Sequence, residues 1–284
     1  MPAPINTLKA RLAAGEVLHG CWIGLAAGYV TEISATAGFD WLLIDGEHAP
    51  NDVRSLSDQL ARVLPSNSVP VVRPVDDDPA KIKQMLDIGA QTLLIPMIET
   101  AEQATRAYRA TRYPPEGTRG VGSALARASG FASIPDYLTT ANAQICVLLQ
   151  IESRAGLAAL DDIAAVEGID GLFIGPSDLA TDMGYPGQPN APEVRAAVMD
   201  ALTRIRAAGL TAGVLSSDPS YIEACKEAGA NFVGVGIDVT LFAWAMRKLA
   251  GTYCKQIRAK PCKARLNECD HFSCTRVHIV ILHI

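Results

Sequence analysis

The side chains most able to do chemistry in this sequence cluster at the ends of apolar runs. Trp41-Leu42-Leu43-Ile44 runs straight into Asp45-Gly46-Glu47-His48, Val69 to Val72 into Arg73, Ile145 to Leu149 into Gln150-Ile151-Glu152, and Gly171 to Ile174 into Gly175-Pro176-Ser177-Asp178. Asp, Glu, His and Arg are costly to bury without partners, so four such endings are hard to explain as packing. Glu152 and Asp178 are hard oxygen donors and can jointly hold a divalent cation such as Mg, Mn or Co, with water or substrate oxygens completing the shell. Against a 2-oxo acid such a cation acts as a Lewis acid, and Arg73 adds a second positive group toward the oxyanion. His48 is the natural proton-transfer group near neutral pH. Asp87 can orient His48 and raise its basicity if the fold brings the two together.

Each residue also has a plainer reading. Glu152 can open a solvated helix, Asp178 can cap a short one, and Asp87 reads most simply as a surface residue of an amphipathic helix. Arg73 can pair with a neighbouring acid, and His48 can be a hydrogen-bonded structural imidazole. No lysine falls at the end of an apolar run, so a Schiff-base mechanism, which needs a desolvated amine, has no support. No cysteine or Ser-His pair stands out as a nucleophile.

The elements that must position these groups alternate. Strands are expected at Cys21 to Leu25, Trp41 to Ile44, Val69 to Arg73, Thr92 to Pro96, Ile145 to Ile151, Gly171 to Ile174, Thr211 to Leu215 and Phe232 to Val235. Ala-rich amphipathic segments lie between them: 30–37, 52–63, 79–88, 101–111, 154–163, 192–208, 219–228 and 240–249. A further helix at 6–14 precedes the first strand. Eight alternations make the α/β fold a (β/α)8 TIM barrel with an N-terminal helix, and chemistry then belongs at the C-terminal strand ends. Asn51 or Asp52, Asp78-Pro79 and Asp218-Pro219 read as helix starts, and Gly38, Gly89, Gly209 and Gly229 as left-handed helix ends. Between Tyr113 and Ala143 lies a longer connection with Pro114-Pro115 and a Pro135-initiated helix, for which contact with substrate is an open expectation.

Bulk properties narrow the classes. In 284 residues the hydrophobic share is 49% with only 6% aromatic, so the core is aliphatic; the formal net charge is −5, with no basic run in the first 250 residues. Nucleic acid and anionic membranes are therefore not expected partners. Met1-Pro2-Ala3-Pro4 begins no secretion signal and no apolar run reaches membrane-spanning length, so a cytoplasmic protein is expected. Cys21, Cys146 and Cys225 read as reduced, packed thiols.

These residues, in order and spacing, resemble the HpcH/HpaI family of class II pyruvate aldolases. The resemblance rests on Phe39 to Asn51, Pro70-Val71-Val72-Arg73-Pro74, Lys83 to Gly89, Arg112-Tyr113-Pro114-Pro115, Arg119 to Ala124, Gln150-Ile151-Glu152 and Gly175-Pro176-Ser177-Asp178-Leu179. It implies divalent-metal-dependent, reversible cleavage of 4-hydroxy-2-oxo acids to pyruvate and an aldehyde, 4-hydroxy-2-oxoheptanedioate and succinate semialdehyde among them, in the breakdown of aromatic compounds. By the same resemblance Glu152 and Asp178 bind the metal, His48 accepts the proton, Asp87 increases its basicity and Arg73 stabilises the transition state. Gln150 and the Gly175-Pro176-Ser177 backbone would contact substrate, with Asp45, Trp22 and Leu215 shaping the pocket; Ser177 stands where many relatives have Ala. A homohexamer with a last helix swapped between subunits is also implied.

Two rival activities share the architecture: aldol cleavage of a 2-keto-3-deoxy sugar acid, and a phosphate-handling barrel using Gly234 and Gly236. A metal and keto-acid binding barrel without turnover is the third. From about Gly251 the composition changes to Cys, His, Lys and Arg and the resemblance stops, so residues 1–250 read as the catalytic domain. The tail reads as a recent or artefactual extension, since Cys254, Cys262, Cys269 and Cys274 lack the paired spacing of a zinc site.

Overall fold

A computed structural model describes residues 1–254, and the expectations for the cysteine-bearing tail beyond them lie outside the described residues. The chain opens with α1 (Thr7–Ala13), β1 (Leu18–Ile23), α2 (Gly28–Ala35), β2 (Trp41–Asp45), α3 (Val53–Val63) and β3 (Val69–Arg73). It continues through α4 (Pro79–Asp87), β4 (Thr92–Ile95), α5 (Ala101–Ala110), α6 (Tyr137–Gln144), β5 (Cys146–Ile151), α7 (Arg154–Ala158) and α8 (Leu160–Ala164). The last elements are β6 (Gly171–Ile174), α9 (Pro176–Asp182), α10 (Pro192–Ala207), β7 (Thr211–Leu215), α11 (Pro219–Glu227), β8 (Phe232–Ile237) and α12 (Asp238–Tyr253). The eight strands close in sequence order into a parallel barrel, β8 returning to β1. Two compact units divide the chain, Met1–Ala243 and a second starting at Trp244; the barrel belongs to the first.

Two apolar layers hold the barrel. Its interior is filled by Trp22, Trp41, Leu43, Val71, Leu94, Leu148, Phe173 and Phe232, with Leu8 and Leu12 of α1 in the same cluster. Trp41 stacks on Phe232 with centroids 4.0 Å apart, in space that a Cβ on Gly20 would occupy, since it would fall 2.0 Å from the indole. Full burial of such a ring stabilises by about 4–6 kcal/mol relative to exposure. A second layer of Ile, Leu, Val and Ala joins the outer strand faces to the helices.

The expected boundaries hold within a few residues, with three informative exceptions. β1 starts at Leu18, whose N–H pairs with Asn231 O at 2.8 Å, and stops at Ile23 because the Gly24 and Leu25 N–H groups turn instead to the Asp238 carboxylate. The expected helix 154–163 breaks at Ala159 into α7 and α8. An additional helix, α9, follows β6 directly, with Pro176 at its first position, the place where a missing N–H costs nothing. The caps are as expected at Asp52, Asp78 and Asp218, and Gly38, Gly89, Gly209 and Gly229 take φ of +91°, +105°, +80° and +110°. Cys21, Cys146 and Cys225 are buried free thiols.

The connection from residue 114 to 143 follows α5 and therefore sits where strands begin, the end opposite to the expected site. There Arg119 pairs with Asp87, Arg127 Nη1 donates to Ile88 O at 3.2 Å, and Thr140 Oγ1 accepts from Ala3 N at 2.8 Å. It lines no part of the strand-end pocket of its own chain.

Candidate active site

The strand register builds the site. Asp45 and Arg73 are direct partners at the ends of β2 and β3, so both side chains arrive at one rim. Arg73 is buried and donates through Nε and Nη2 to Asp45 Oδ1 and Oδ2 at 2.9 and 2.6 Å, the bidentate fork that suits guanidinium and carboxylate. Its third edge, Nη1, lies 2.7 Å from Glu47 Oε2, and the guanidinium carbon is 5.4 Å from the Trp22 ring centroid. Burial works against the charge, but Asp45 and Glu47 outweigh it, so the guanidinium pKa rises. The plain reading of Arg73, pairing with neighbouring acids, is thus correct as far as it goes.

Gly46 makes this arrangement possible. Its N–H donates to Arg73 O at 2.8 Å, and a Cβ there would meet that same oxygen at 2.7 Å, so a side chain would push the loop away from β3. Asp45 also accepts from the backbone N–H of Glu47 at 2.9 Å and of His48 at 3.4 Å; Asn51, the alternative helix cap, instead donates to Asp45 O at 2.7 Å. Asp45 is thereby fully engaged as a clamp. His48 follows with its side chain 67% exposed and Nε2 3.9 Å from Glu47 Oε2.

Across the mouth, β5 delivers Gln150 and Glu152, both buried. Glu152 precedes the Ser153 cap of α7, so it is no solvated first-turn residue. It accepts from the Gln150 amide and from Met97 N at 2.9 Å, a backbone donor aimed by a left-handed residue of φ +57°. Burial raises its pKa to about 7 against the pull of those two donors, with Glu47 and Asp178 adding to the rise. A Cβ on Gly175 would lie 2.8 Å from Glu152 Oε2, so glycine keeps the space beside that oxygen open. Asp178 stands exposed in the first turn of α9, while Gly175 takes the N-cap position.

Glu152 and Asp178 therefore fit a hard divalent cation in donor type, and a desolvated carboxylate is the group such a cation would relieve. Among the described residues no three His, Cys, Asp or Glu side chains converge into a ready cage, so most of the shell would come from water or substrate. Gln150 Oε1 and Glu47 Oε2 are buried acceptors without a hydrogen-bond donor.

A cavity of about 300 Å³ opens beside these groups, with neither Glu47 nor Glu152 among its lining residues. Trp22, Asp45, His48, Arg73, Gln150, Gly175, Pro176, Ser177, Asp178 and Leu215 all line it, and among the described residues no lysine does. Phe173 of β6, Ile237 of β8 and Val239 of α12 complete an apolar wall. One expected member is elsewhere. Asp87 closes α4, which descends from the site toward the strand starts, and its Oδ1 pairs with Arg119 Nη2 at 2.7 Å; within one chain it does not meet His48. Gly234 packs its backbone against Leu215, where a Cβ would come within 2.7 Å of Leu215 Cδ1.

Comparison with known proteins agrees with this geometry. The family model described as HpcH/HpaI aldolase/citrate lyase matches residues 18–245. A hydroxypyruvate/pyruvate aldolase of Roseovarius nubinhibens is 58% identical over 248 residues, 87% of this chain and 96% of that protein. A 4-hydroxy-2-oxo-heptane-1,7-dioate aldolase of Escherichia coli is 53% identical over 254 residues, 89% of this chain and 97% of that one. The crystal structure of an HpcH/HpaI aldolase/citrate lyase family protein from Burkholderia cenocepacia superposes with TM-score 0.83 at 40% identity, covering 87% of this chain and 98% of that chain. With its barrel closed and its rim groups in place, the chain belongs to the HpcH/HpaI aldolase/citrate lyase family.

Proposed function

We propose that the protein is a carbon–carbon lyase that cleaves 4-hydroxy-2-oxo acids to pyruvate and an aldehyde, using a divalent cation held by Glu152 and Asp178, and that it runs in the aldol direction when pyruvate is abundant. The observation that carries this reading is the buried Glu152 carboxylate, its pKa raised to about 7, held against Gln150 and Gly175, which line one cavity with Asp178 and the clamped Arg73. Aldolase chemistry on a 2-oxo acid is common to the names of the hydroxypyruvate/pyruvate and heptanedioate aldolase relatives. That shared chemistry favours an aldolase over the phosphate-handling and non-catalytic readings.

Cleavage needs the 4-hydroxyl proton removed while the C3–C4 electron pair moves toward the 2-oxo group. His48 takes that proton, and the exposed position of its ring leaves it room to pass the proton on. Arg73, fixed by Asp45, faces the oxygen on which negative charge grows. The cation, when bound, supplies Lewis-acid polarisation of the same oxo group. Gln150 and the backbone at Gly175, Pro176 and Ser177 hold the pyruvyl half, and Trp22 and Leu215 bound the aldehyde half. Asp87 raises the basicity of His48 only from a second copy of the chain. That requirement accords with the implied homohexamer, as does the exposure of Leu241 and Phe242, 56% and 59%, on α12.

The test is release of pyruvate from 4-hydroxy-2-oxoheptanedioate by protein charged in turn with Mg, Mn and Co. Turnover should vanish on exhaustive chelation and return with metal, and borohydride added with pyruvate should leave activity unchanged. Turnover that survives chelation, or loss of activity to borohydride, would contradict the proposal.

A further inference from the structure

We infer that Glu47 is a positioning residue for this reaction, holding Arg73 in register with the pocket and giving His48 an acidic neighbour from its own chain. The inference rests on the lyase reading above. Three observations lead to it. The loop that carries Glu47 is tied down on both sides, by the Gly46 N–H on Arg73 O and by its own N–H on Asp45 Oδ1, so the side chain has a defined origin. Its side chain is only 13% exposed, and its carboxylate stands 2.7 Å from Arg73 Nη1 and 3.9 Å from His48 Nε2. Oε2 nevertheless remains a buried acceptor without a hydrogen bond, because Nη1 approaches it off the hydrogen-bond direction.

Asp45 alone leaves the guanidinium incomplete. It occupies Nε and Nη2, and among the described residues the charged partner of Nη1 is Glu47. Without that charge the plane is held along one edge only and can tip about the Asp45 fork, misaligning the group that must meet the oxo oxygen. Misplacement by about 1 Å at a reacting centre can cost two orders of magnitude in rate. The open acceptor position on Oε2 points the same way. His48 Nε2 lies 3.9 Å from Oε2, and a carboxylate there favours the imidazolium formed when the substrate proton is taken.

The test compares Glu47→Gln, which keeps shape and loses charge, with Glu47→Asp, which keeps charge and loses reach. Glu47→Gln should lower kcat roughly 10- to 100-fold, part of the usual acid–base contribution, with KM for the oxo acid and the Kd for Mn within about threefold of wild type. Glu47→Asp should recover part of kcat. Wild-type kcat in Glu47→Gln, whatever its melting temperature, overturns the inference; should Glu47→Gln fail to fold, Glu47→Asp at no better than Glu47→Ala activity overturns it equally. Absence of turnover in the wild-type protein would instead sink the lyase reading, so the two failures are distinct.

Discussion

Arg73 and Arg119 are both buried arginines paired with an aspartate at close range, and they sit at opposite ends of the same barrel. Arg73 puts all three nitrogens against two carboxylates at the mouth of the cavity. Arg119 meets Asp87 through Nη2, stacks 4.3 Å from the Tyr113 ring centroid, and leaves Nε and Nη1 without partners. The first pair opens onto a buried acceptor without a hydrogen bond, Gln150 Oε1; the second is closed over by aromatic rings. A buried ion pair is therefore no mark of an active site in itself. The mark is a paired cation facing groups that still lack partners, across a space that a ligand can enter.

This contrast can be broken by mutation. Arg73→Lys should reduce kcat/KM by about a thousandfold or more, because a point charge cannot fill a planar fork and present a donor to substrate; activity within tenfold of wild type, by steady-state kinetics, would remove Arg73 from the reaction. Arg119→Met should cost about 3 kcal/mol in denaturant unfolding, the low end for a broken buried pair because Asp87 is partly hydrated. If Asp87 serves His48 only between copies, a mixture of His48→Ala and Asp87→Asn proteins refolded together should regain activity that neither parent has. No recovery would confine Asp87 to its structural pairing with Arg119.

The pH dependence of stability separates the two ends as well. Glu152 has a pKa raised from its ordinary value to about 7 in the folded protein, so the folded state binds its proton more tightly than the unfolded chain does. Its contribution is present in full below pH 4.5 and is lost as pH rises through 7, a span worth roughly 3 kcal/mol. Metal-free protein should thus lose stability between pH 5 and pH 8, Glu152→Gln should flatten that slope, and divalent cation should restore stability at the alkaline end. A slope unchanged by Glu152→Gln would assign the loss elsewhere.

Much of this was legible in the residues. The apolar run into Asp45-Gly46-Glu47-His48 announced a buried parallel strand with a polar end, and the alternation with capped, Ala-rich helices announced the barrel, because both signals are local. Asp45, Arg73, Gln150 and Asp178 could be placed at one rim since strand order alone puts them there. Three features needed three dimensions. The contact of Glu47 with Arg73 depends on how the loop folds back over β3, and Met97 supplies Glu152 with a donor through its left-handed backbone, for which its side chain gives no cue. Asp87, in the Lys83 to Gly89 stretch that follows β3, lies at the other end of the barrel, since a helix of nine residues carries it away from the strand ends.

The most direct test of the central claim is exchange of the pyruvate methyl protons in heavy water, followed by proton NMR, with the protein charged with Mn or Mg. Metal-dependent exchange is expected in the wild-type protein and should be lost in Glu152→Ala and Asp178→Ala together with metal affinity. Absence of exchange with every divalent cation, or exchange undiminished in both variants, would contradict that claim.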